Sequence, residues 1–174
     1  MPIRSRIRFT ARHLTVVVAV GLGAVLASGC LNGAPSAASI PHGPPGYAPI
    51  IAGFSCPVTG ARYGQRYGPL PNGGYHFGVD LLAPSGTALV AVMAGSVHYV
   101  ANEGAGGNAM YLYGVDGNVY YYAHMLAFYG GDRRVGPRDL VGLVGQTGNA
   151  TGPHLHFEIL YNGNYTDPCV YLGC

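Results

Sequence analysis

Short apolar and aromatic segments alternate with glycine-rich turns from about residue 54 to residue 174. Each segment is about five to seven residues long, a length and spacing typical of β-strands. The glycine spacing excludes long helices and leaves room for at most a short helical turn near residues 137–140. The pattern predicts an all-β domain of antiparallel sheets over residues 54–174. The predicted strands are 87–92, 96–100, 109–113, 119–124, 140–144 and 154–160.

The strongest turn signal in the chain is Asp116-Gly117, which lies between the segments YLYGV and NVYYYAH. Asp-Gly is a dipeptide favoured by the type I′ turn of two-residue hairpins. We therefore expect the third and fourth predicted strands to form a β-hairpin with this turn.

A different pattern precedes the predicted domain. Residues 14–26 are continuously apolar, but this run is shorter than the roughly 20 residues that a membrane-spanning helix needs. Arginines precede it and small residues follow it, which is typical of a secretory signal. The segment Leu26-Ala27-Ser28-Gly29-Cys30 resembles a bacterial lipobox, in which the cysteine is lipidated and becomes the first residue. We expect a signal peptide over 1–29 and a lipid on Cys30, with an uncleaved anchor helix as the alternative.

Removing that signal changes the charge of the protein. The chain carries +2 overall, yet four of its nine arginines lie in the first twelve positions. The five that remain face seven acidic residues, which gives a net charge of −2. A nucleic-acid-binding role is excluded, because it needs a basic surface. Residues 30–53 are uncharged and rich in proline, and we expect a flexible tether there, in which His42 has no role.

The candidate chemistry rests on the histidines of the predicted domain. His154 and His156 are two apart in a predicted strand, so both side chains point to one face, about 6.6 to 7 Å apart. His76 and Asp80 are four apart, but neighbouring glycines disfavour a helix and a straight strand would separate them by roughly 13 Å. They converge only if the backbone bends between them, and Gly78 is the residue that permits a bend.

Two histidine nitrogens and one carboxylate oxygen are a typical ligand set for a catalytic zinc ion, with the fourth position left for water. If one ring of the pair at 154 and 156 binds the metal, the other can reach a group beside it. His98 lies in an alternating strand and is expected to face outward or to pack, without binding a metal. The arginines at 133, 134 and 138 are expected in a solvated loop over residues 130–137.

The histidines and Asp80 lie in three motifs, Gly74-Tyr75-His76-Phe77-Gly78-Val79-Asp80, Tyr121-Tyr122-Ala123-His124 and Gly152-Pro153-His154-Leu155-His156-Phe157. In order and spacing these motifs resemble those of the LytM/lysostaphin-like zinc metallopeptidases. The resemblance covers roughly residues 56–167 and includes supporting segments at 83–87, 94–95 and 145–150. It implies a β-sheet groove with one zinc ion on its floor. It also implies hydrolysis of the peptides that cross-link bacterial peptidoglycan.

The resemblance implies that His76, Asp80 and His156 bind the zinc ion and that His124 and His154 work beside it. No His-Glu-x-x-His motif supplies a glutamate, so one of these two histidines is the candidate general base and the other stabilises the oxyanion. The sequence does not assign the two roles. Glu158 continues the face of the pair at 154 and 156 and could orient a ligand, although a solvated charge at the strand end is the favoured interpretation.

The sequence thus predicts a zinc metalloendopeptidase acting on peptidoglycan. The alternative is a non-catalytic module that binds the wall or activates another hydrolase. We expect an exported monomer, held by lipid at the outer face of the cell membrane and facing the wall. In that oxidising compartment Cys56 is expected to pair with Cys174, or alternatively with Cys169, and to join the two ends of the domain.

Overall fold

The computed structural model describes residues 54–174, and these form an almost entirely β structure. Its two helices are short: a 3-10 helix at Gly104–Gly106 and a single α-helical turn, α1, at Cys169–Leu172. The all-β prediction is confirmed. The strands are β1 (Arg62–Tyr63), β2 (Gly68–Pro69), β3 (Tyr75–His76), β4 (Val79–Leu82), β5 (Ala88–Val90), β6 (Gly95–Val100), β7 (Ala109–Gly114), β8 (Val119–Ala123), β9 (Met125–Phe128), β10 (Arg133–Val135), β11 (Leu140–Val144), β12 (His154–Tyr161) and β13 (Asn164–Thr166).

Three sheets organise these strands. The main sheet has the order β1-β4-β12-β8-β7-β6-β10, with β13 paired to β12, and its neighbouring strands are antiparallel. A second sheet has the order β5-β11-β9, and β2 pairs with β3 in a third. Each of the six predicted strands has a counterpart in the structure.

The main sheet has one apolar face and one face that carries polar groups. On β12, Leu155, Phe157 and Ile159 are completely buried, whereas the residues between them are partly exposed. On β4, Val79 is buried while Asp80 is not. Successive residues of a strand point to opposite faces of the sheet. The core therefore lies under one face, and the functional residues lie on the other.

The β7–β8 hairpin forms as predicted, but its turn is not the predicted type I′ turn. Gly114 donates its N–H to the carbonyl of Asn118 at 2.9 Å, which encloses a three-residue loop. Type I′ requires positive φ at both central residues, and only Gly117 (φ 82°) has it, not Asp116. The Asp116 carboxylate accepts hydrogen bonds from the Asn118 N–H and the Tyr120 hydroxyl, which holds Asp116 within the loop.

The segment over residues 130–137, expected as a solvated loop, contains strand β10. The guanidinium of Arg133 donates to the carbonyl of Leu140 at 2.7 Å, so this arginine fastens β10 to the start of β11. The helical turn expected near residues 137–140 is instead a tight turn in which Asp139 donates its N–H to Gly136 O.

The predicted disulfide between Cys56 and Cys174 is wrong, as is its alternative with Cys169. Helix α1 ends at Gly173, which has φ 73° and donates its N–H to Cys169 O at 2.9 Å. This reversal brings Cys174 to a Cα–Cα distance of 4.7 Å from Cys169, and the two form a disulfide. The bond closes a short loop at the carboxyl end and does not join the ends of the domain. The Sγ atom of Cys56 lies 3.0 Å from the carbonyl oxygen of Val58.

Several predictions concern residues outside the described part of the chain. They are the signal peptide over 1–29 with its lipobox, the lipid on Cys30, and the tether over 30–53 that contains His42. Within residues 54–174, no helix has the length and apolar character needed to cross a membrane.

Candidate active site

Three side chains from three strands meet on the polar face of the main sheet. Asp80 on β4 lies directly opposite His156 on β12 in the strand register, and His76 comes from β3. Asp80 Oδ1 lies 3.1 Å from both His76 Nε2 and His156 Nδ1, and these two nitrogens are 3.0 Å apart. The triangle unites the three residues that the resemblance assigns to the metal.

The predicted bend between His76 and Asp80 is present. Strand β3 ends at His76 and β4 begins at Val79, so the chain changes direction over Phe77 and Gly78. A Cβ atom on Gly78 would lie 2.4 Å from the carbonyl oxygen of Phe157. Only glycine allows β4 to approach β12 this closely, and the approach brings the two ligand side chains together.

The donor set fits a zinc ion. Zinc takes histidine nitrogens and carboxylate oxygens at about 2.0–2.1 Å, which in a tetrahedral site places the donors about 3.3–3.4 Å apart. The three donor atoms of this site are 3.0 to 3.1 Å apart. Within residues 54–174, this is the cluster of histidine, cysteine and acidic residues with the geometry to hold a metal ion. Three protein ligands leave a fourth position open, as in catalytic zinc sites.

Hydrogen bonds on the opposite ring nitrogens orient both histidine ligands. Nδ1 of His76 donates to the carbonyl of Arg66 at 3.0 Å, which leaves Nε2 for the metal. Nε2 of His156 donates to Glu158 Oε1 at 2.9 Å, which leaves Nδ1 for the metal. Such partners fix the tautomer and the orientation of a histidine ligand. The favoured interpretation of Glu158 as a solvated charge is therefore wrong.

Hydrogen bonds within the site determine the charge states of Asp80 and His156. Burial alone would raise the pKa of Asp80, but hydrogen bonds from His156 and His76 keep that pKa well below its ordinary value. Burial would lower the pKa of His156, but hydrogen bonds with Asp80 and Glu158 raise it to about 9. Without a metal, the protonated ring of His156 thus donates its Nδ1–H to Asp80 and its Nε2–H to Glu158.

Two further histidines lie beside the triangle. Nε2 of His154 is 3.6 Å from Asp80 Oδ1, and the rings of His124 and His154 have their centroids 4.6 Å apart. Nδ1 of His124 donates to the carbonyl of Thr147, and Nδ1 of His154 donates to that of Gly152, each at 2.8 Å. In the neutral rings, Nε2 therefore keeps its lone pair and can accept a proton.

His124 is almost completely buried. Its side chain is only slightly exposed, and desolvation is the largest of the effects that lower the pKa of its ring. The ring of His124 is accordingly neutral at pH 7. Its backbone is unusual for a residue other than glycine, with φ at +63°.

His98 and the exposed aromatic residues lie outside this cluster. Nδ1 of His98 contacts an oxygen of Asp132 at 2.5 Å on the surface, as expected for an outward-facing residue. Beside His76, the ring of Phe77 packs between those of Tyr75 and Tyr165, at centroid distances of 5.1 and 4.5 Å. All three of these rings are more than two-fifths exposed, and Tyr75 and Phe77 are the sequence neighbours of His76.

Sequence reasoning missed the groups that hold the histidines in place, apart from Glu158. These groups are the backbone carbonyls of Arg66, Thr147 and Gly152. A backbone carbonyl is present at every residue, so the sequence contains no signal for the ones that fold into the site.

Sequence comparison relates the chain to bacterial peptidases. It is 38% identical over 93 residues to the DD-carboxypeptidase/endopeptidase Mpg of Neisseria meningitidis, which covers 53% of this chain and 22% of that protein. It is 36% identical over 111 residues to lysostaphin of Staphylococcus simulans, covering 58% of this chain and 22% of that protein. The matched region thus spans about a fifth of the length of these curated relatives.

Solved structures show the same fold. The catalytic domain of lysostaphin from Staphylococcus simulans superimposes with a TM-score of 0.60 at 31% identity, covering 66% of this chain and 93% of that domain. A zinc-containing peptidase from Vibrio cholerae superimposes with a TM-score of 0.57 at 26% identity, covering 62% of this chain and 35% of that protein.

The family match agrees with the site. Residues 74–168, more than half of the chain, match the family described as peptidase family M23. This range includes the three candidate metal ligands and both adjacent histidines. The chain belongs to peptidase family M23.

Proposed function

We propose that this protein is a zinc-dependent endopeptidase that hydrolyses peptide cross-links of bacterial peptidoglycan. The observation that carries the proposal is the convergence of His76, Asp80 and His156 donor atoms to within 3.1 Å of one another. His124 and His154 lie beside them with Nε2 able to accept a proton. The names of the relatives support the substrate class, since they include a peptidoglycan DD-endopeptidase and a glycyl-glycine endopeptidase.

The residues divide the work of hydrolysis between them. His76, Asp80 and His156 would hold the zinc ion, which when bound supplies a Lewis acid that polarises the scissile carbonyl and acidifies a water molecule. His124 is the favoured proton acceptor, because burial keeps its ring neutral and its Nδ1–H is held by Thr147. His124 would then return this proton to the leaving amine, and His154, whose Nε2 lies 3.6 Å from Asp80 Oδ1, would stabilise the oxyanion when that nitrogen carries a proton.

The exposed rings beside His76 offer a contact surface for the substrate. Tyrosine and phenylalanine give rigid contact area at low entropic cost. We assign Tyr75, Phe77 and Tyr165 to binding of the peptide, because the three rings form one exposed cluster and two of them flank His76 in the sequence.

Digestion of purified, cross-linked peptidoglycan tests the proposed function. The zinc-loaded protein should release soluble fragments with new amino termini, and chelator-treated protein should not. A His156→Ala variant should also be inactive, whereas Tyr113→Phe, an exposed change on β7, should act like the wild type. Equal release by the His156→Ala variant would contradict the proposal. Binding to the wall without release would point to a non-catalytic module.

We also propose that the protein is exported as a monomeric lipoprotein, with a signal peptide over 1–29, a tether over 30–53 and lipid on Cys30. The support is the sequence of residues 14–30, together with a substrate that lies outside the cell. One chain supplies the whole proposed site. Mass spectrometry of the membrane-bound protein should find a thioether-linked lipid on Cys30, and Cys30→Ser should move the protein to the soluble fraction. A disulfide at Cys30 would contradict lipidation, because one sulfur cannot carry both.

A further inference from the structure

A loop over residues 102–108, which connects β6 to β7, supports the backbone of His124. The Gly106 carbonyl accepts the His124 N–H at 2.8 Å, and the Asn108 carbonyl accepts the N–H of Met125 at 2.9 Å. These two bonds lie on either side of the His124 backbone, which has φ at +63°. Backbone in this region persists in a residue other than glycine only where its surroundings fix it.

The same loop also holds the group that orients the His124 ring. The Asn108 N–H donates to Thr147 Oγ1 at 2.9 Å, and the Ala105 carbonyl accepts the N–H of Asn149 at 2.8 Å. The Thr147 carbonyl in turn accepts the hydrogen bond from Nδ1 of His124. Both the backbone and the ring of His124 therefore depend on where this loop lies.

Glu103 fixes the loop to the main sheet. Its two carboxylate oxygens accept hydrogen bonds from the hydroxyls of Tyr111 and Tyr121, one oxygen to each. These tyrosines are directly opposite each other on β7 and β8, and their ring centroids are 4.9 Å apart. Tyr121 is three residues before His124. The loop and the strand that leads to His124 are thus joined through one carboxylate.

We propose that Glu103 is a positioning residue for His124: by binding both Tyr111 and Tyr121, it holds the 102–108 loop where the loop fixes the backbone and the ring of His124. Glu103 has no hydrogen bond to the candidate metal ligands, and its connection to them is indirect, through the ring of Tyr121, whose centroid is 6.4 Å from that of His156. Its loss should therefore move His124 more than the metal ligands and leave zinc binding intact. The activity part of this inference rests on the proposed function.

The test compares Glu103→Ala and Glu103→Gln in the full protein. Glutamine can accept from one tyrosine hydroxyl and donate to the other, so Glu103→Gln should preserve the arrangement. Glu103→Ala should lower kcat on peptidoglycan fragments by about 10–100-fold, the effect expected of a small displacement of a catalytic group. KM should stay within about twofold, since the substrate contacts are unchanged. Zinc content should remain at one ion per chain.

A second readout does not depend on activity. In histidine-labelled protein, the NMR signal of the His124 ring, assigned from its loss in His124→Ala, should shift in Glu103→Ala while those of His76 and His156 stay in place. The double variant Tyr111→Phe/Tyr121→Phe should reproduce this shift and keeps the inference testable if Glu103→Ala does not fold. Tyr113→Phe, two residues from Tyr111 on β7, is the matched control and should cause no shift.

The inference is overturned if Glu103→Ala and the double tyrosine variant both leave the His124 signal unchanged. It is also overturned if they shift the His76 and His156 signals equally, because the effect would then be a general disturbance of the fold. Failure of the wild-type protein to cleave peptidoglycan would contradict the proposed function alone, since the NMR comparison would still decide the role of Glu103.

Discussion

At the scale of single residues, the two histidine ligands use different ring nitrogens, and the hydrogen bond on the other nitrogen decides which one. His76 is held through Nδ1 by a backbone carbonyl and His156 through Nε2 by Glu158. A carboxylate partner also raises the basicity of the ring that it binds. Glu158 is therefore as much a part of the proposed metal site as the residues that would bind the ion.

Replacing Glu158 with alanine should weaken zinc binding by about 10–100-fold, the usual effect of removing such a partner. Glu158→Gln should have a smaller effect, because its amide oxygen can still accept the hydrogen bond from His156. Competition with a chromogenic chelator measures the affinity. Asp132→Asn is the matched control, because it changes an exposed carboxylate that contacts a histidine, His98, outside the site. An unchanged affinity in Glu158→Ala would show that the hydrogen bond is not needed.

Zinc binding should release a proton near neutral pH. In the metal-free protein the pKa of His156 is raised to about 9, so its ring is protonated at pH 7, and the metal must displace that proton from Nδ1. The apparent zinc affinity should then rise about tenfold per pH unit up to about pH 9. Calorimetry in buffers of different ionisation enthalpy counts the protons. Release of no proton at pH 7 would contradict this charge state.

At the scale of elements, the site depends on the pairing of β4 with β12 and on the bend before β4. The register places Asp80 opposite His156, and the alternation along β12 sends Leu155 and Phe157 into the core. The polar side chains of both strands consequently share one face. The bend at Gly78 then turns His76 back toward this face.

Gly78→Ala should damage both the fold and the site. The added methyl group would lie 2.4 Å from the Phe157 carbonyl oxygen, and relieving that contact would push β4 away from β12. We expect a loss of about 1–3 kcal/mol in the free energy of unfolding, as in other overpacked sites, together with weaker zinc binding. Gly131→Ala, where the methyl group meets open space, is the control. Chemical denaturation measures the free energy of unfolding of both variants. Equal values for Gly78→Ala and Gly131→Ala would contradict the close approach of β4 to β12.

Much of the arrangement could be predicted from local patterns, and the remainder depends on tertiary contacts. The alternation in residues 154–160 predicts a strand with one polar face, and the glycine before Val79 predicts a bend. Both predictions are confirmed. The predicted disulfide is wrong because a helix of four residues is too short to be recognised in the sequence. The turn at Gly173 that ends this helix is what returns Cys174 to Cys169. The role of Glu158 is not evident from the sequence, because its hydrogen bond depends on how the ring of His156 is rotated.

At the scale of the whole molecule, the main sheet separates two environments. Its apolar face packs on the core, and its other face collects the histidines and carboxylates of the proposed site. The net charge of −2 beyond the first twelve residues gives no electrostatic attraction to polyanions. The charge that matters for the proposed function is instead that of the metal ion.

Titration of metal-free protein with zinc, followed by the release of new amino groups from cross-linked peptidoglycan, tests whether the metal ion is required for cleavage. We predict that activity rises linearly to one zinc ion per chain and then stops rising, and that His156→Ala stays inactive throughout. Activity in the metal-free protein, or a His156→Ala variant that gains activity with the same stoichiometry, would contradict it.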